Sequence, residues 1–195
     1  ANEGTGNQSS AKRIAQEYLA AKGWGDARAS QLLTLIKNRQ AASGNGAFDA
    51  TLYGIYSTMP AFDALGRAGD ISEINTAAAI TYILANQDPA TKAWPAGLND
   101  FQTTAQAVRT LTYLLPLAGG QATAVQTAIG GGKTWLQARQ QTDGSFRDED
   151  GYEDPLVNTV EAILTMNCLR LHPAGWSVGG KSAVDYMRDN ALNAD

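Results

Sequence analysis

One phrase recurs three times along this chain of 195 residues, and it constrains the fold more than any single motif. A large residue stands five places before a glutamine at Leu35 and Gln40, at Tyr82 and Gln87, and at Trp135 and Gln140. An aromatic follows each glutamine: Phe48, Trp94 and Phe146. Then come Thr58-x-x-Ala61-x-x-x-Leu65, Thr104-x-x-Ala107-x-x-x-Leu111 and Thr159-x-x-Ala162-x-x-x-Met166, the threonines lying 46 and then 55 residues apart. A period of this size marks a repeat architecture. One unit cannot bury its own apolar face, so neighbouring units must stack.

Within each unit, apolar residues return at three- and four-residue spacing, with Gly, Asp and Pro between the runs, and no segment alternates with period two. The pattern predicts an all-α fold with helices over 10–22, 26–42, 55–68, 71–87, 100–117, 121–140, 154–170 and 179–191. Start signals are Asp26, Ser72, Asp100 and the Asp154-Pro155 pair, where proline suits the first helical position. Gly23, Gly69 and Gly119-Gly120 stand where left-handed stops are wanted. Thr, Ala and Leu at i, i+3 and i+7 share one helical face, and the small Ala admits a close neighbour. Trp135 is expected to fill space between helix layers, with the Gln140 amide bonding backbone at a neighbouring helix start.

Composition narrows the function classes. A formal net charge of -4, with 17% charged residues, argues against a basic nucleic-acid binder. No apolar run of about 18 residues occurs, so no transmembrane segment is expected. Cys168 is the single cysteine, which excludes an intramolecular disulfide and a Cys-based zinc cluster. Residues 1–9 read as a flexible tail at a mature or trimmed end, and 10–195 as a single domain; secretion or cell-surface display is the expected localisation.

Trp135-Leu-Gln-Ala-Arg-Gln140-Gln-Thr-Asp-Gly144-Ser-Phe146, followed by Asn158-Thr-Val-Glu161-Ala-Ile-Leu164, resembles the prenyltransferase and squalene-oxidase repeat. That repeat belongs to the α/α toroid superfamily of terpenoid cyclases, protein prenyltransferase β subunits, complement thioester domains and cobalamin carriers. The Tyr82–Leu111 unit is a weaker copy and Leu35–Leu65 a degenerate one. The resemblance implies outer helices carrying the aromatic and Gln, around inner helices that begin near the Thr and line a cavity. A complete toroid has six helix pairs. Eight helices make about four hairpins, hence a partial toroid in an open arc, expected to be a fragment of a longer protein.

The chemistry of the catalytic relatives is missing from the matching positions. Protein prenyltransferases place an Asp-x-Cys pair and a distant His on zinc, whereas Cys168 follows Met166-Asn167 and His172 is the single histidine. Protonating cyclases carry Asp-x-Asp-Asp before an inner helix, where neighbouring carboxylates keep one acid protonated. Here that stretch is Val157-Asn158-Thr159. No Cys–Gln thioester motif surrounds Cys168. Gly130-Gly-Gly-Lys-Thr134 lacks the first glycine and the preceding strand of a phosphate loop. In the acidic run, Asp148, Asp150 and Asp154 are a weak calcium candidate without EF-hand spacing; a solvated loop with Asp154 as helix cap is the plainer reading.

Two classes remain. The first is a non-catalytic binding or interaction module, with no catalytic residue, metal or cofactor assigned, and with a small neutral ligand or a ring-completing domain as partner. Its ligand contacts would be Trp94, Gln106, Tyr152, Asn158 and Glu161, polar groups amid aromatic rings. The second is an enzyme of the same fold, terpenoid cyclase-like or a polysaccharide lyase, with Arg109 and Arg147 as bases by residue type.

Overall fold

The computed structural model describes residues 10–49, 54–97, 100–148 and 151–191. The expected tail at 1–9 lies outside them. The described residues are mostly helical: α1 (Ala11–Gly23), α2 (Arg28–Ser43), α3 (Gly54–Ala68), α4 (Thr76–Ala85), α5 (Asp100–Leu114), α6 (Ala122–Gln137), α7 (Pro155–Cys168) and α8 (Ala183–Ala191). By contact density the chain forms two compact units, Ala1–Asn86 with Tyr113–Val125, and Gln87–Thr112 with Gln126–Asp195.

Local chemistry explains several helix ends. Asp154 caps α7 by accepting from Leu156 N, with Pro155 in the first turn. Gly69 holds φ +79° where α3 ends. The expected start at Ser72 is displaced: Ile71–Glu73 is a short 3-10 turn, and Asn75 caps α4 by accepting from Ala78 N. The expected helix over 179–191 starts later too. Gly179 and Gly180 hold φ +61° and +78°, which makes the tight turn of a two-residue hairpin, β1 (Ser177–Val178) against β2 (Lys181–Ser182). The absence of strand periodicity could not show a hairpin this short.

The repeat has a physical counterpart. Thr58, Ala61, Leu65, Thr104, Ala107, Leu111, Thr159, Ala162 and Met166 are all 0% exposed, so the recurring face is the buried face of α3, α5 and α7. In each unit the same bond ties the connection to that helix. Phe48 N donates to Thr58 Oγ1 at 3.3 Å, Trp94 N to Thr104 Oγ1 at 2.9 Å, and Phe146 N to Thr159 Oγ1 at 3.1 Å.

The glutamines also repeat their work. Gln40 Nε2 donates to Gly46 O and Asn75 O, and its Oε1 accepts from Asn75 N at 2.7 Å. Gln87 Nε2 reaches Lys92 O and Ala128 O, and Gln140 Nε2 reaches Trp176 O. Each side chain thus joins its own connection or helix end to a segment further along the chain, at the approach to α4, on α6 and at the approach to α8. The expected target was an inner-helix start; the observed carbonyls lie on α6 and at the approaches to α4 and α8.

Trp135 differs from expectation. It is half-buried, and the Arg139 guanidinium lies 3.5 Å from its ring centre. The residue one place later is fully buried in α2, α4 and α6, at Ile36, Ile83 and Leu136. One residue is about 100° of helical turn, which carries the aromatic to the flank of the buried stripe.

Candidate functional site

The five expected ligand contacts all fall in the second compact unit, but they are not equivalent surfaces. Trp94 is 0% exposed. Its ring lies over Gly132, where a Cβ would come within 2.8 Å of Trp94 Cζ3 and 2.6 Å of Val108 Cγ2. Asn158 is also fully buried. Gln106 and Glu161 are half-buried, and Tyr152, at 73% exposure, is open to solvent. The phosphate-loop-like Gly130–Thr134 lies inside α6.

Glu161 is engaged by Arg109, which is 1% exposed. Arg109 Nη2 lies 2.7 Å from Glu161 Oε2, and Nη1 donates to Thr165 Oγ1 at 3.0 Å and to Glu161 O at 3.2 Å. This arginine, a candidate base by type, is therefore a buried cation committed to α7. The exposed Arg147 pairs with Asp143 at 3.2 Å.

The residue that organises the site is Glu153, which sequence reasoning passed over. It is buried at 6% exposure. Its Oε2 accepts from Phe101 N at 3.2 Å and from Asn158 Nδ2 at 3.2 Å, and its Oε1 accepts from Gln102 N at 3.3 Å. The carboxyl thus caps the start of α5 across 52 residues of chain while holding the start of α7. Burial pushes it up to about 7, with the charge of Asp148 adding to the rise, against the hydrogen bonds from Gln102, Asn158 and Phe101.

The first unit contains the same device. Asp49 Oδ2 accepts from Ala11 N at 3.1 Å, at the start of α1, and also takes the Ser57 hydroxyl, while Oδ1 receives Arg39 at 2.7 Å. Ser57 and Asn158 each immediately precede the repeated threonine. An acid in the connection, paired with a polar residue just before Thr, was the available signal for Glu153.

The weak calcium candidate is divided. Asp148 Oδ2 accepts from Tyr152 N and Glu153 N, and Asp154 is the α7 cap. Asp150 lies outside the described residues. Among the described residues no group of three His, Cys, Asp or Glu side chains is arranged to hold a metal ion. Cys168 Sγ donates to Arg109 O at 3.9 Å, and the exposed His172 accepts from Ala174 N. No described helix is long and apolar enough to cross a membrane.

In comparisons with known proteins, no family model, no curated protein and no solved structure matches this chain.

Proposed function

We propose that this chain is a non-catalytic binding or interaction module, built as a partial α/α toroid of helix hairpins and displayed by a secreted or cell-surface protein. One observation carries the reading. The acids beside the inner-helix starts are already spent: Asp49 and Glu153 cap α1 and α5, and Glu161 is paired with Arg109. A cyclase acid must be aimed at substrate in a dry cavity, and a carboxyl accepting two backbone N–H groups is turned into the protein instead.

What remains for a partner is neutral. Tyr152 offers an exposed ring with a polar tip, and Gln106 a half-buried side chain on α5. An exposed amphipathic ring and a hydrogen-bonding amide suit a sugar, a cofactor fragment or a neutral peptide surface. Trp94 has no exposed area and packs over Gly132, so it is not part of this surface.

Calorimetric titration of the full chain with a set of neutral oligosaccharides and with a corrinoid tests the proposal. Binding that weakens at least tenfold in Tyr152→Ala and Gln106→Ala is expected, since each such loss corresponds to about 1.4 kcal/mol. Incubation with squalene or a prenyl diphosphate should give no product by mass spectrometry. Turnover lost in Glu153→Gln or Glu161→Gln would replace the module with an enzyme.

A further inference from the structure

Asn158 Oδ1 is buried and has no hydrogen-bond partner, although the same amide donates from Nδ2 to Glu153 Oε2 at 3.2 Å. An unpaired buried acceptor is costly, and native structures rarely keep one without a reason. Asn158 is 0% exposed, so no ligand reaches this oxygen without rearrangement of the site. Its neighbour, however, can carry the missing hydrogen. A neutral carboxylic acid facing a primary amide makes two bonds at once, amide N–H to one acid oxygen and acid O–H to the amide oxygen.

We propose that Glu153 binds a proton at neutral pH and shares it with Asn158 Oδ1, closing an acid–amide pair that latches the start of α7 to the start of α5. The proton comes from water and resides on Oε1; no other bond is made or broken. Oε2 keeps the bonds from Phe101 N and Asn158 Nδ2, and Oε1 keeps the bond from Gln102 N through its second lone pair. This proton site goes beyond the binding function above and does not depend on it.

The charged surroundings favour the neutral acid. In the connection, Asp148 lies close enough for its charge to act on Glu153, and its Oδ1 is itself buried without a partner. On α5, Asp100 accepts from Ala96 N at 2.6 Å, and Arg109 is turned to Glu161 on α7 at 2.7 Å. At the α7 cap, Asp154 is occupied by Leu156 N at 2.8 Å. The two N–H donors at the α5 start oppose protonation, since a helix start favours the anion. Burial and Asp148 prevail, placing the carboxyl at about 7 against an ordinary 4.5.

The sign of the pH dependence follows. A carboxyl raised in the folded state contributes stability fully below the unfolded value near 4.5 and loses it as pH rises through about 7. Thermal unfolding of the full chain, followed from about pH 5 to about pH 9, compares the natural chain with Glu153→Gln, whose neutral amide cannot ionise. The Tm of the natural chain should fall relative to the variant from about pH 5 to about pH 7 and run level with it above that. Parallel curves, or a natural chain that gains on the variant at high pH, overturn the latch. Should Glu153→Gln not fold, infrared titration of the natural chain reads the protonated carboxyl directly. Its carbonyl band should persist to near neutral pH and be lost at lower pH in Asn158→Ala. No such band above the ordinary carboxylate range, or one unmoved by Asn158→Ala, likewise overturns it.

Discussion

Lys92 and Gly131 are a matched pair: Lys92 holds a left-handed φ of +70°, and a Cβ on Gly131 would lie 2.9 Å from the Cβ of Lys92. In the other two units the corresponding position is glycine. Gly46 and Gly144 both hold φ +89°, and a Cβ there would strike Ala78 O or Ser182 O at 2.2 Å. The middle unit has exchanged partners. A side chain stands where the other two repeats have glycine, and α6 supplies the glycine that makes room for it.

Lys92→Gly should therefore stabilise the protein by about 1 kcal/mol, because a non-glycine residue in the left-handed region costs roughly 1–2 kcal/mol and the added chain entropy returns only part of it. Gly46→Ala should be strongly destabilising, since the obstruction is backbone and cannot rotate away. Chemical denaturation of both variants checks the pair. A Lys92→Gly midpoint below that of the natural chain would show that the lysine stem's packing on Gly131 outweighs the backbone strain.

Thr104→Val should cost about 1–3 kcal/mol, the penalty for leaving the buried Trp94 N–H without its acceptor. The shape is conserved, so packing changes little. Thr58→Val should cost at least as much, because its hydroxyl accepts from both Phe48 N at 3.3 Å and Asp49 N at 3.4 Å. Equal midpoints for Thr104→Val and the natural chain would deny the recurring Thr bond a role in stability.

Trp94→Ala and Trp135→Ala should separate clearly. Trp94 is fully buried, and its loss should cost about 3–5 kcal/mol. Trp135 is half-buried under Arg139, so the loss is confined to partial burial and a cation–π contact of about 0.5–1 kcal/mol. Thermal melts of the two variants decide, and a greater loss for Trp135 would place the repeat's aromatic in the core after all.

Arg109→Met should destabilise by about 3 kcal/mol, toward the lower end for a broken buried pair, because Glu161 keeps partial access to solvent. Adding Glu161→Gln should recover much of that loss, as the uncompensated charge disappears. If the double variant is no more stable than Arg109→Met, the arginine acts through its bonds to Thr165 and the Glu161 carbonyl rather than through charge.

The helices were legible in the sequence because their causes are local. A buried stripe at 3.6-residue spacing, a cap acting within three residues and a proline in the first turn need no distant partner. The nine buried Thr, Ala and Leu or Met positions follow from that spacing alone. Tertiary structure decided which distant groups meet. Glu153 looks like one acid among several in a solvated run, and only the chain path brings it onto Phe101 N, 52 residues away. Trp94 reads equally well as a ligand wall or a core ring until Gly132 is found beneath it. The difference is physical: helix formation is set by interactions within one turn, whereas burial, desolvation and the pairing of a carboxyl depend on which segment the folded chain lays beside it.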